Sequence, residues 1–283
     1  MLIAPAWATL LGACQPAAIA DALTPRAGTR LVPDLAYGAG ARQRLDLYLP
    51  AAPRNATPLL VFFYGGGWRS GERGSYGFVA RVLAARGFAV AVPDYRLWPE
   101  GRWPGFVEDA AAALHWLDGR EATAAGVPRG GPVHVMGHSA GGTIAASLAL
   151  DPRWLGAARR AALAGCITLA APFDWAPRRE PLVSIFAAAP DGAIRAAPED
   201  PALLAAAPPM LLLHGADDRT VRPEQSQRMA ARLAEAGARE VRLRVFPGVG
   251  HIAILAAMAA PVRALGLARA PVLEEVTGFA AAA

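Results

Sequence analysis

The chain has 283 residues, is 54% hydrophobic and carries a formal net charge of +5. Such a length suits one large domain or two small ones, a single α/β domain being the simplest reading, and the apolar content is ample to bury a core. Its basic residues are all arginine, scattered along the chain in pairs no longer than Arg159-Arg160 and Arg178-Arg179; these read as solvated surface, and the clustered basic stripe that nucleic-acid binding needs is absent.

Residues 1–28 read as a leader and linker. Met1 to Ala13 carry no charge and end in Leu11-Gly12-Ala13-Cys14. This is similar to a bacterial lipobox, in which cleavage exposes a cysteine for lipidation. No Lys or Arg precedes Cys14, a departure from the charged start of such leaders. The expectation is a lipid anchor through Cys14 and a place in the cell envelope, lipid-anchored or periplasmic, ahead of a cytoplasmic one. Residues 29–283 then form a single domain.

In that domain, Thr29 to Tyr37 and Gln43 to Leu49 show apolar residues at alternate positions, the period of half-buried strands, and Gly38-Ala39-Gly40 between them predicts a hairpin. From Leu59 the pattern changes. Leu59 to Phe63 and Gly87 to Val92 are continuously apolar, as expected of strands buried on both faces of a parallel sheet. Further strands are expected at Val133 to Met136, Cys166 to Leu169, Met210 to Leu213 and Val241 to Phe246, with helices over Tyr76 to Ala85, Val107 to Arg120, Gly141 to Leu150 and Glu224 to Ala236. Strand and helix in alternation predict an α/β fold with a doubly wound, mostly parallel sheet. Cys166 falls inside one of these apolar runs and is expected to be a buried free thiol. Phe173 to Pro209, rich in Pro and Ala, has room for at most a small lid.

In such a sheet, ligands bind at the carboxyl ends of the strands, and the chemically suggestive residues fall there. Gly137-His138-Ser139-Ala140-Gly141 follows a strand and precedes a helix, the context that makes G-x-S-x-G a nucleophile turn and not merely a glycine-rich turn with a capping serine. A serine hydroxyl needs a base to take its proton and a carboxylate to orient the base. Of the five histidines, His251 follows the last strand in the loop Gly248-Val249-Gly250-His251 and is the candidate base; His115 and His134 read as surface or packing residues, His138 and His214 as turn residues. The acid is expected in the loop after the preceding strand, where Asp217 and Asp218 both stand. Tyr64-Gly65-Gly66-Gly67-Trp68 follows the first long apolar strand, and its glycines let main-chain N–H groups approach an oxyanion; Gly66 or Gly67, together with Ala140, is the expected hole. Trp68, with Phe173 and Trp175, is a candidate for the substrate pocket.

Taken together, Tyr64-Gly65-Gly66-Gly67-Trp68, Pro93-Asp94-Tyr95-Arg96-Leu97, Gly137-His138-Ser139-Ala140-Gly141-Gly142, His214-Gly215-Ala216-Asp217-Asp218 and Gly250-His251 resemble the esterase/lipase branch of the α/β-hydrolases, near the hormone-sensitive-lipase and acetyl-esterase groups. The resemblance covers nearly everything from Leu31 onward. It implies the α/β-hydrolase fold, and its spacing of His-Gly, two residues, Asp, two residues, Val selects Asp218, giving the chain order Ser139, Asp218, His251. Two departures stand out: Tyr64 occupies a position that is usually His in the family, and the sequence is expected to be too short for the helical amino-terminal cap of the hormone-sensitive-lipase group. Asp94 and Arg96 are expected to be structural partners. The implied function is that of a serine carboxylesterase acting on a small-molecule ester, without metal or organic cofactor. An arylformamidase-like amidase of the same fold and a non-catalytic hydrolase-like binding protein are the alternatives.

Overall fold

The computed structural model describes residues 15–282. The expected lipidation site at Cys14 lies outside them. An eight-stranded sheet runs in the order β1-β2-β4-β3-β5-β6-β9-β10, formed by β1 (Thr29–Ala36), β2 (Arg44–Pro50), β3 (Leu59–Phe63), β4 (Ala89–Pro93), β5 (Val133–His138), β6 (Leu163–Leu169), β9 (Met210–Gly215) and β10 (Val241–Phe246). The pairs β1–β2 and β2–β4 are antiparallel and the remaining pairs parallel. This is the α/β-hydrolase architecture with an amino-terminal hairpin, and every residue of β3, β4 and β9 is buried, as their continuous apolar runs require.

The hairpin differs from its expected half-burial on one side. Although β2 alternates in sequence, six of its seven residues are buried, because it lies between β1 and β4 inside the sheet. Its polar position Asp46 is satisfied there by the Arg73 guanidinium at 2.9 Å and the Asp34 N–H at 2.9 Å. By contrast, the outermost strand β10 keeps its alternation, with Arg242 and Arg244 exposed.

Helices stack on the sheet in two groups. Gly77–Ala84 and the carboxyl-terminal Val272–Ala281 are linked by an Arg86–Glu274 ion pair at 3.9 Å. The second was not expected from sequence, yet it buries Val272, Leu273, Val276, Phe279 and Ala280, a spacing that lines one helical face. The other group contains Gly105–Leu117 and Ala140–Leu150; all eleven residues of the latter are buried, so its uniformly apolar sequence reflects a central helix. A short helix, Gln15–Leu23, docks on the domain through a partly buried Asp21–Arg81 ion pair. The segment after β6 holds a two-stranded ribbon, β7 (Asp174–Trp175) with β8 (Ile194–Arg195), and the short helices Leu182–Ile185 and Pro201–Ala205. Cys166 is buried and has no disulfide partner among the described residues, and burial pushes its thiol pKa up.

His134 in β5 is fully buried beside the Phe279 ring, and neither ring nitrogen has a hydrogen-bond partner among the described residues. Burial lowers its pKa to about 4. The unfolded chain therefore binds a proton that the folded chain refuses between pH 6.5 and 4, so stability falls as pH drops through that window and levels off below it. One such group contributes about 1.4 kcal/mol per pH unit. Urea unfolding of His134→Leu is accordingly expected to show a shallower loss of stability from pH 6.5 to 4 than the parent; equal slopes would assign the acid sensitivity to other groups.

Candidate active site

Strand order reverses around β3, which sends the chain first to β4 on one side and then to β5 on the other. The crevice at such a switch point lies outside the carboxyl ends of the two strands. Phe63 at the end of β3 is paired with Gly137 near the end of β5, so the glycine loop and the serine turn emerge side by side.

Ser139 sits in that turn at φ 52° and ψ −121°, a left-handed conformation that is strained for any residue but glycine. Two features hold it. Its amide donates to the Leu169 carbonyl at 2.9 Å, and its carbonyl accepts from the Gly142 and Thr143 amides as the following helix begins. The turn is so tight that a Cβ on Gly141 would collide with the Phe63 carbonyl, and one on Gly137 with the Gly141 carbonyl. The serine side chain makes no capping bond to the helix and is left to face its neighbours.

His251, in the loop after β10, lies with Nε2 2.9 Å from Ser139 Oγ and Nδ1 2.7 Å from Asp218 Oδ2. Because a carboxylate only accepts, Nδ1 carries the proton and Nε2 is the acceptor for the serine hydroxyl. Asp218 is buried, and its other oxygen accepts from the Thr220 and Val221 amides at 2.8 and 2.9 Å. Burial pushes its carboxyl pKa up, but the hydrogen bonds from His214, His251 and Val221 outweigh that and hold it well below the usual range. The adjacent Asp217 is exposed. Thus, of the residues singled out in sequence, Ser139, His251 and Asp218 are brought into one relay.

The glycine loop turns beside the serine, with positive φ at Gly66 (131°), Gly67 (61°) and Trp68 (59°). A Cβ on Gly66 would run into the Ser70 carbonyl. Among the described residues, the N–H groups of Gly66, Gly67 and Ala140 donate to no protein acceptor. Tyr64, where the resemblance would place histidine, braces the loop from behind. Its hydroxyl donates to Asp94 Oδ1 at 2.6 Å and accepts from Arg42 Nη2 at 2.8 Å, while Arg42 also donates to the Gly71 carbonyl at 2.8 Å. Asp94 also accepts from the Arg73 amide at 2.8 Å, and Arg96 pairs with buried Asp109 at 2.8 Å, so both are structural.

Two supports were not legible in the sequence as such. His138 is buried, and its Nε2 lies 3.0 Å from the His251 carbonyl, which can only accept; His138 therefore donates and anchors the base-bearing loop to the nucleophile turn. Burial, reinforced by His251, lowers its pKa to about 3, so it is a neutral donor at ordinary pH. His214 works the same way under the acid. Nε2 donates to the Val221 carbonyl at 2.9 Å and stands 3.4 Å from Asp218 Oδ2, while Nδ1 faces Ser226 Oγ at 2.7 Å. Both read as turn residues in sequence but lie instead at the carboxyl ends of β5 and β9, and only the meeting of distant loops gives them these partners.

Ser139 opens into a cavity of about 620 Å³, a size that suits a small organic ligand. Its lining includes the apolar Trp68, Pro172, Trp175 and Leu182 and the basic Arg219, Arg222 and Arg228. Phe173, expected to share this pocket, is instead buried beside a smaller neighbouring hollow; its amide and that of Asp174 donate to Gln225 Oε1 at 2.8 and 2.9 Å.

The chain matches two family descriptions, BD-FAE over residues 45–154 and the prolyl oligopeptidase family over residues 108–260. A probable isoprenylcysteine alpha-carbonyl methylesterase, ICME of Oryza sativa, is 31% identical over 239 residues, or 76% of this chain and 56% of that protein. Esterase LipC of Mycobacterium tuberculosis is 28% identical over 239 residues, or 76% of this chain and 58% of that protein. The chain thus spans a little over half the length of these curated relatives. In fold it is similar to a truncated carbohydrate esterase from gut microbiota, with a TM-score of 0.72 at 18% identity over 92% of this chain and 98% of that one. Because the prolyl oligopeptidase match takes in more than half of the chain and includes Ser139, Asp218 and His251, the chain belongs to that family of α/β-hydrolases, with esterases among its relatives.

Proposed function

We propose that the protein is a serine carboxylesterase that hydrolyses small carboxylic esters through an acyl-enzyme intermediate. The observation that carries this reading is the unbroken relay from Ser139 Oγ through His251 to Asp218, beside unengaged N–H groups on Gly66, Gly67 and Ala140. His251 Nε2 accepts the hydroxyl proton as Ser139 Oγ attacks the ester carbonyl carbon. The carbonyl oxygen becomes an oxyanion, which those N–H groups stabilise; one such donor contributes about 3 kcal/mol to a transition state. Collapse of the tetrahedral intermediate breaks the bond to the alkoxy oxygen, and His251 returns its proton to the departing alcohol. Water, deprotonated by His251, then attacks the acyl-enzyme and frees the acid and the serine. Asp218 stays ionised throughout and stabilises the positive imidazolium.

Support for esters as substrates also comes from the relatives named as esterase and methylesterase. A short acyl group fits the small insertion between β6 and β9, which contributes only Pro172, Trp175 and Leu182 to the cavity. Turnover of p-nitrophenyl acetate, butyrate, octanoate and decanoate tests both parts: kcat/KM is expected to be greatest for acetate or butyrate. A maximum at decanoate would overturn the short-chain reading, and the absence of turnover together with failure of a fluorophosphonate to label Ser139 would overturn the esterase itself.

A further inference from the structure

The arginines of the Ser139 cavity point to the chemistry of its ligand. Arg219, Arg222 and Arg228 line the cavity from the loop after β9 and the helix Glu224–Glu235 that follows it. All three are exposed, and none makes an ion pair or side-chain hydrogen bond among the described residues. Several arginines elsewhere are matched to carboxylates: Arg73 reaches Asp34, Asp46 and Asp94, Arg96 reaches Glu108 and Asp109, and Arg195 reaches Asp174 and Asp191. The cavity holds one carboxylate besides, Glu224, which stands in the first turn of its helix, where the N–H dipoles offset its charge. Three guanidinium groups against one carboxylate leave that wall at +2. Asp217 does not line the cavity, but it lines an adjoining depression that shares Arg219, Arg222 and Glu224 with it, and no ion pair joins it to either arginine among the described residues; the charge of Asp218 is taken up by its two histidines and two amides.

The same cavity is lined by Trp68, Pro172, Trp175 and Leu182, which offer no charge. Low-dielectric walls beside unneutralised cations focus the field on whatever occupies the space between them. Guanidinium, moreover, matches a carboxylate or phosphate with paired N–H donors. We infer that the preferred substrates are esters carrying a second, anionic group, held by Arg219, Arg222 and Arg228 while the ester carbonyl reaches Ser139. The inference rests on the esterase reading given above and adds the charge class of its substrate.

Two matched pairs of esters test it, one with the charge on the leaving group and one with it on the acyl group: 4-acetoxybenzoate against methyl 4-acetoxybenzoate, and monophenyl adipate against methyl phenyl adipate, with phenol release measured for each. At low ionic strength, kcat/KM is expected to favour the anionic member of at least one pair by about tenfold, the scale of electrostatic steering into a charged cleft. Because the arginines are exposed, the preference should shrink in 0.5 M NaCl, where the screening length is only about 4 Å. In the triple variant R219Q/R222Q/R228Q the ratio within each pair should fall towards one; a ratio is unaffected by the amount of folded enzyme. Turnover of neutral esters with no anionic preference in either pair, or a preference that survives in the triple variant, overturns the proposal and leaves the esterase reading standing. Failure to hydrolyse any of the four overturns both.

Discussion

Ser139→Ala is expected to lower kcat/KM for p-nitrophenyl acetate by about 10⁴-fold or more, and to abolish labelling by a fluorophosphonate, while thermal unfolding stays close to that of the parent. The size of the effect follows from what the side chain does. Among the described residues its oxygen has one hydrogen-bond partner, His251 Nε2 at 2.9 Å, and it supplies no cap to the helix that begins at Ala140. Alanine thus removes the attacking atom and one hydrogen bond, without leaving an unpartnered buried donor. The strained φ of 52° costs alanine about what it costs serine, since both carry a Cβ. The bonds that pin the turn, from the Ser139 amide to Leu169 and from Gly142 and Thr143 to the Ser139 carbonyl, are main-chain and survive the change. Only the background catalysis of an unoccupied oxyanion hole should remain. Retention of a tenth of the activity by a preparation free of parent enzyme would remove Ser139 from the proposed mechanism.

Much of this arrangement was visible in the linear sequence because the fold confines it to strand ends. The apolar run Leu59–Phe63 and the alternating segment Val241–Phe246 coincide with β3 and β10, and in a parallel sheet the residues just beyond such strands gather at one edge. Ser139 and His251 are therefore legible by position after β5 and β10, whereas position after β9 leaves Asp217 and Asp218 and only the spacing implied by the resemblance selects Asp218. The bonds that steady them join loops far apart in the chain and have no local period. Nothing near His138 announces that it will meet the His251 carbonyl, 113 residues away. Likewise Arg42 follows a hairpin turn, and its contacts with Tyr64 and Gly71 exist only because β2 lies next to β4 and the glycine loop folds back over them. Phe173 illustrates the opposite error. It stands near Trp175 in sequence, but Gln225 fixes the main chain there and turns the phenyl ring into the core instead of the Ser139 cavity. Burial misled in β2 as well, where alternation was right for the strand and wrong for its exposure, since the Asp34–Arg73–Asp46 contacts make a polar residue tolerable inside the sheet.

Asp218→Asn is expected to reduce kcat by about 10³- to 10⁴-fold at neutral pH, with little change in KM. Every group around this carboxylate is a donor: the Thr220 and Val221 amides at Oδ1, His251 Nδ1 at 2.7 Å and His214 Nε2 at 3.4 Å from Oδ2. Asparagine has one accepting end. Its oxygen satisfies most by staying with the two amides, which turns its NH₂ group towards His251. There Nδ1 must become the acceptor, so the imidazole proton moves to Nε2 and points at Ser139 Oγ. A histidine in that tautomer cannot take the serine proton, and the neutral amide no longer stabilises an imidazolium. KM is spared because Asp218 does not line the cavity in which substrate binds. The rate of fluorophosphonate labelling should fall in step with kcat, since it needs the same deprotonation. Asp217→Asn is the matched control: its side chain is exposed outside the relay, and turnover within about twofold of the parent is expected, in line with the small effects of surface changes. Should the two variants exchange these outcomes, the acid belongs to Asp217 and the loop after β9 must adopt another arrangement during catalysis.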